Sequence, residues 1–235
     1  MSHRHVLLIA TGLLSIVLHD PAFAGPNQNA AISFHINSSI VKNPCNMQLH
    51  PASMRVSEPQ LSTPEGPFYF VFLFVCRGAD SAGVGGLECG VSYPGAYAPE
   101  GGASPINVFG WALCADLEFP SSGWPAPGGG NLMTWTEAHC HHPSGNPGVP
   151  NEAIALAGYF YVGAYASGRF TVIPRPVSGR LKVASCDAVE DDLTDVPTFF
   201  VRGAAGFGDQ QGYNVCHPID PVEETTWGRL KQQYR

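Results

Sequence analysis

Two stretches of this chain, "FYFVFLFVC" (68–76) and "IALAGYFYVGAYA" (154–166), carry apolar or aromatic side chains at nearly every position. A β-strand sends successive side chains to opposite faces, so strands of this composition need cover on both sides. They read as central strands of a packed sheet, with a buried helix open as a reading of the second. Other segments alternate with period two. In "AAISFHI", Ile32, Phe34 and Ile36 share a face; in "LECGVSY", Leu87, Cys89, Val91 and Tyr93 point inward. In "FGWALCADLEF" the alternation puts Phe109, Trp111, Leu113, Leu117 and Phe119 together. "NLMTW", "FTVI" and "LKVASC" are shorter candidates.

Segments such as "YPGAYAPEGGASP", "PSSGWPAPGGG" and "HHPSGNPGVP" lie between these runs, where proline and glycine preset turn dihedrals and stop helices. The chain holds 27 glycines and 21 prolines, and only 13% of its residues are charged. Roughly eight or nine short strands so punctuated predict an all-β, antiparallel two-sheet sandwich. Phe70, Phe72, Phe74, Trp111, Leu113, Tyr159 and Tyr161 are expected in its core. The expected domain spans 25–187, followed by a peripheral loop-rich extension over 188–221. The end of the chain, "ETTWGRLKQQYR", differs from the rest. Over 222–235, Trp227, Leu230 and Tyr234 form an apolar stripe flanked by Arg229, Lys231 and Arg235. This spacing predicts a short amphipathic helix, with Thr225 or Thr226 as cap. It reads either as a brace packed on the sandwich or as a docking peptide.

Residues 1–24 read as a secretory signal peptide. Arg4 precedes an apolar run from Val6 to Leu18, and Ala22 and Ala24 offer a small-residue cleavage site. The run is shorter than the roughly 20 residues a membrane-spanning helix needs. Export makes disulfides the expected state of the cysteines at 45, 76, 89, 114, 140, 186 and 216. Closeness in sequence, which keeps loop-closure cost low, favours Cys114 with Cys140, Cys186 with Cys216 and Cys76 with Cys89, leaving Cys45 odd. A net charge of −7 with three lysines excludes a phosphate-binding surface and hence nucleic acid.

The order "GVGGLECGVSY", "INVFGWALCADLEF", "GNLMTW", "AIALAGYFYVGAYASGRFTVIP" and "LKVASCDA", over about residues 66–187, resembles a cohesin-type sandwich. The chain is also similar to secreted proteins of uncultured bacterial lineages that share "GWALCADLEFP", "GYFYVGAY" and "TTWGRLKQQYR". The first resemblance implies a non-catalytic binding or scaffolding role, since cohesins bind dockerin modules. No contact position carries over to a residue of this chain.

Several clusters are candidates for chemistry. His139, Cys140, His141 and His142 are ligand types for zinc or copper, but neighbours on an extended segment diverge, so His50 or His217 would have to complete a site. Asp116 and Glu118, two apart on a strand, place carboxylates roughly 6–7 Å apart on one face, the order of a glycosidase pair. Asp187, Glu190, Asp191, Asp192 and Asp195 form an acidic run that suits calcium or plain solvent exposure. Trp124, Tyr93 and Tyr97 are placed to stack on sugars or to cap the core edge. No nucleophile elbow, zinc-protease motif or phosphate loop is present. The leading expectation is a secreted, non-catalytic binding, adhesion or scaffolding protein with a protein or glycan partner. It assigns no catalytic residue, cofactor or metal. The alternatives are a carbohydrate hydrolase using Asp116 and Glu118, and an extracytoplasmic metal binder using the histidine cluster.

Overall fold

A computed structural model of the chain describes residues 25–40, 42–143 and 151–216. In chain order the strands are β1 (Ala31–Ser38), β2 (Ser57–Glu58), β3 (Tyr69–Gly78), β4 (Gly86–Ser92), β5 (Gly95–Tyr97), β6 (Ile106–Leu113) and β7 (Leu117–Glu118). There follow β8 (Gly130–Thr134), β9 (Ala153–Ala164), β10 (Gly168–Ile173), β11 (Lys182–Ala184), β12 (Glu190–Asp192), the one-turn helix α1 (Thr198–Val201) and β13 (Ala204–Phe207). They form two sheets. The five-stranded sheet has the order β1-β3-β9-β6-β5. The larger one runs β12-β11-β4-β10-β13-β2, with β8 on the other edge of β4 and β7 beyond it. The protein is an all-β sandwich. Its pairings are antiparallel apart from β5 with β6 and β2 with β13, which run parallel.

The two apolar runs become β3 and β9, neighbours at the centre of the five-stranded sheet. Their inward side chains, among them Val71, Leu73, Val75, Phe160 and Val162, meet Leu87, Cys89, Val91, Phe170 and Val172 of the opposing sheet. Ile32, Phe34 and Ile36 of β1 join them at 1% exposure or less. Each such side chain contributes about 1.5–3 kcal/mol by leaving water. Phe72 and Phe74 are also fully buried, but on the outer face of β3, under a second apolar layer. Phe70, Trp111, Leu113, Tyr159 and Tyr161 are only half-buried, which corrects their assignment to the core.

The alternation expected over 109–119 also fails, for a local reason. The pairing of β6 with β9 shifts register between Val108 and Gly110, leaving Phe109 as the extra residue of a bulge. Trp111 and Leu113 stay with the inner cluster, while the ring of Phe109 packs against Phe68 and Tyr161 outside. The chain then crosses to the other sheet as β7, and Leu117 and Phe119 end 54% exposed.

Two strands beyond residue 187 belong to the larger sheet. β12 pairs with β11, and β13 lies between β10 and β2 inside the larger sheet, with Phe207 fully buried against Tyr69. A short run, "AAGF", carries too few side chains to announce a strand, and it is the open edge of β10 that makes it one. The tail over 222–235, with its expected helix, lies outside the described residues, as does the expected signal peptide.

None of the three expected disulfides forms. The bridges are Cys45–Cys114, Cys76–Cys216 and Cys140–Cys186. Cys76 faces outward from one sheet, whereas Cys89 faces inward from the other, free and fully buried. Three bridges fit an oxidising compartment. Among the described residues no helix is long and apolar enough to cross a membrane.

Candidate functional site

The outer face of the five-stranded sheet divides into two halves. Over one half, Met47, Leu49 and Met54 from the 45–54 segment and Val215–Cys216 cover Phe72, Phe74 and Leu156. The bridges Cys45–Cys114 and Cys76–Cys216 pin these covering segments down. Among the described residues the other half carries Phe68, Phe70, Phe109, Tyr159 and Tyr161, all half-buried, and Phe70, Trp111, Tyr159 and Tyr161 line a depression of about 390 Å³ there. Cross-strand pairing builds the depression. Gly110 lies opposite Tyr161 and Ala112 opposite Tyr159, so small residues leave room beside large ones. The rings pack edge to face, with Phe70 and Tyr159 at 4.7 Å and 63°, and Phe68 and Phe109 at 5.5 Å and 88°. Among the described residues no carboxylate or ammonium lines the depression; its polar side chains are those of Ser39, Trp111 and the tyrosines. Burial, and then the neighbouring Tyr165, push the Tyr161 phenol up, so it stays neutral. The sequence announced these aromatics but not that half of their face stays open, because the covering segments have no strand pattern of their own.

Asp116 and Glu118 do not face a common cleft. Asp116 accepts hydrogen bonds from the Thr136 backbone N–H (2.6 Å) and hydroxyl (2.8 Å), and its Oδ1 meets His139 Nδ1 at 2.7 Å. The Thr136 N–H and then His139 hold its pKa down to about 2, the opposite of what a general acid requires. Glu118 Oε2 accepts from Trp111 Nε1 at 2.9 Å and Asn131 Nδ2 at 2.7 Å, and so ties β6 to β8. Both carboxylates serve the joint where the chain changes sheets, and the hydrolase alternative loses its residues.

The three histidines disperse as the divergence of neighbours predicts. His139 turns to Asp116, while His141 and His142 line a cleft of about 420 Å³. The His141 ring stands edge-on to Trp135 at 5.2 Å, and burial lowers its pKa below 6.5, leaving it neutral at pH 7. His142 Nε2 stands 3.4 Å from Cys186 Sγ. The cleft also carries His50, the one named partner from elsewhere in the sequence that falls among the described residues, and Glu152. Burial raises the Glu152 pKa, and its Oε1 is enclosed with no hydrogen-bond partner. Nothing in the sequence links Glu152 to the histidines, because β9 alone brings it there. His217 lies outside the described residues.

The acidic run is tied into the fold at β12. Glu190 pairs with Lys182 and Asp192 with Arg180, each at 2.6 Å, and buried Asp191 accepts from the Asn27 N–H at 2.7 Å. Successive residues of β12 point to opposite faces, so these oxygens do not gather as a calcium site requires. Of the loop aromatics, Tyr93 stacks on Phe170 at 4.3 Å and Trp124 packs on Trp111 and Phe160, while Tyr97 is 41% exposed. The first two cap the core edge.

No protein-family profile matches the chain, and no curated protein matches it. Among solved structures it is similar to a cohesin module from a Clostridium perfringens family 33 glycoside hydrolase. The identity is 9% and the TM-score 0.38, over 76% of this chain and 96% of that one.

Proposed function

We propose that this is a secreted, non-catalytic binding module that holds a protein partner on the uncovered aromatic half of its five-stranded sheet. The observation that carries this reading is the division of one sheet face into a covered and an open half. Phe70, Tyr159 and Tyr161 of the open half line a depression without charged side chains, and Phe68 and Phe109 pack against Tyr161 beside it. An aromatic, charge-free centre is the composition of a protein-interface core. Phe70 with Tyr159 and Phe68 with Phe109 stand edge to face, leaving recesses between rings that suit apolar side chains. The same reading makes the 222–235 tail, with Trp227, Leu230 and Tyr234, a second docking element.

A photo-crosslinking residue at Tyr161, compared with one at exposed Val177, tests the face in the protein's native extracellular medium. The expected result is a discrete protein adduct at position 161 alone, competed by excess unmodified chain but not by a Phe70→Ser, Phe109→Ser chain. An adduct equally abundant at both positions, or retention by a polysaccharide panel abolished by those substitutions, overturns the protein-docking reading.

A further inference from the structure

The donor atoms of Cys140, His142 and Cys186 lie within 4.8 Å of one another. The two sulfurs form the Cys140–Cys186 bridge, but backbone also holds the cysteines face to face. His141 N–H donates to the Val84 carbonyl at 3.0 Å and Val84 N–H to the His141 carbonyl at 2.8 Å, while Cys186 N–H donates to the Ala82 carbonyl at 2.9 Å. Gly83 lies between, at φ +65°, where a Cβ would stand 2.5 Å from Cys186 Sγ and 2.6 Å from the His141 carbonyl oxygen. Fully buried Asn27 clamps this loop from beneath. Its Nδ2 donates to the Gly83 carbonyl at 2.9 Å, and its Oδ1 accepts from the Ala79 N–H at 2.8 Å. The frame therefore keeps the two thiols apposed when the bridge opens.

The geometry points to a reduction-gated zinc site: with the bridge open, Cys140, Cys186 and His142 bind one Zn²⁺, and with it closed they do not. A dithiol reductant supplies two electrons and two protons. The S–S bond breaks, two S–H bonds form, and the reductant closes to its own disulfide. Zinc binding then releases both thiol protons to solvent, leaving two thiolates and a neutral imidazole on the metal. Donors about 2.0–2.3 Å from a tetrahedral zinc lie roughly 3.5–4 Å from one another. The 3.4 Å between His142 Nε2 and Cys186 Sγ already suits this, and the two sulfurs part to it once their bond is broken. Three protein donors leave a fourth position for water on the cleft side, where His50, His141 and Glu152 also stand. This inference is independent of the partner-docking reading, which concerns the other half of the face.

The test uses the full chain, reduced by a dithiol without oxygen, exchanged into metal-free buffer and titrated with Co²⁺ as a spectroscopic stand-in for zinc. The expected result is one equivalent bound with thiolate-to-metal charge-transfer bands, absent from the oxidised chain and lost from the Cys140→Ser, Cys186→Ser variant. His142→Ala weakens binding about tenfold or more. A second readout needs no variant: alkylation of the zinc-loaded reduced chain spares Cys140 and Cys186 while modifying Cys45 and Cys114. Charge-transfer bands that persist in the double serine variant, or alkylation of Cys140 and Cys186 undiminished by zinc, overturn the proposal.

Discussion

Asp116 shows how a single side chain takes its role from its neighbours. A carboxylate on an alternating strand resembles a catalytic acid in sequence, yet three donors from Thr136 and His139 surround it here. Because the folded pKa is depressed from 3.8 to about 2, its stabilisation is complete above pH 3.8 and fades as pH falls towards 2. His35 and His141 act in a higher window. Burial lowers both below 6.5, so below that pH the unfolded chain binds more protons and stability declines. Melting temperature is therefore expected to fall in two stages on acidification. Asp116→Asn should shrink the lower stage, to which Asp192 and Asp209 also contribute, and lower the His141 pKa further by removing a neighbouring negative charge, as thermal melts across pH would record.

At the scale of elements, the bulge in β6 decides which aromatics serve the core. Phe109→Ala removes a half-exposed ring and should cost only about 1 kcal/mol. Deleting Phe109 closes the bulge and leaves Gly110 opposite Tyr161 and Trp111 opposite Phe160, so Trp111 and Leu113 should stay inward and unfolding in denaturant should remain cooperative. The reverse outcome would mean that Phe109 is not the extra residue of the bulge. β13 supplies a complementary test. Phe207 is fully buried, so Phe207→Ala is expected to cost about 3–5 kcal/mol, measured as a shift of the urea midpoint. A peripheral extension would tolerate the same change almost freely.

Across the described residues, the disulfides fasten the two covering segments to the sandwich and join the segment after β8 to the residues after β11. Peptide mapping without reduction should recover Cys45–Cys114, Cys76–Cys216 and Cys140–Cys186, with Cys89 as a thiol accessible only after unfolding. Burial pushes the Cys89 thiol far up, so it stays protonated and inert. Opening Cys76–Cys216 should be the most damaging loss, of the order of 2–5 kcal/mol, because it closes the longest loop and anchors the cover of Phe72 and Phe74. Deleting residues 222–235 should leave the melting temperature nearly unchanged while weakening partner capture. A fall of many degrees would make the tail a structural brace.

The sequence by itself determined the class of fold and the faces of its simplest strands. Alternation at Ile32, Phe34 and Ile36 and at Leu87, Cys89 and Val91 is a local consequence of side-chain direction, and saturation of β3 and β9 with apolar residues demanded cover on both sides. Tertiary structure decided what depends on distance along the chain. Which cysteines meet depended on which sheet face each one occupies, and Cys76 and Cys89, close in sequence, look in different directions from different sheets. Whether Phe109 or Trp111 turned inward depended on one extra residue opposite β9. Whether Asp116 and Glu118 were free to react depended on donors from β6, β8 and the segment that follows β8. Among the described residues, the covering segments pinned by the bridges at Cys45 and Cys216 lie over Phe72 and Phe74 and leave Tyr161 half-buried, which no pattern in the strands beneath announces.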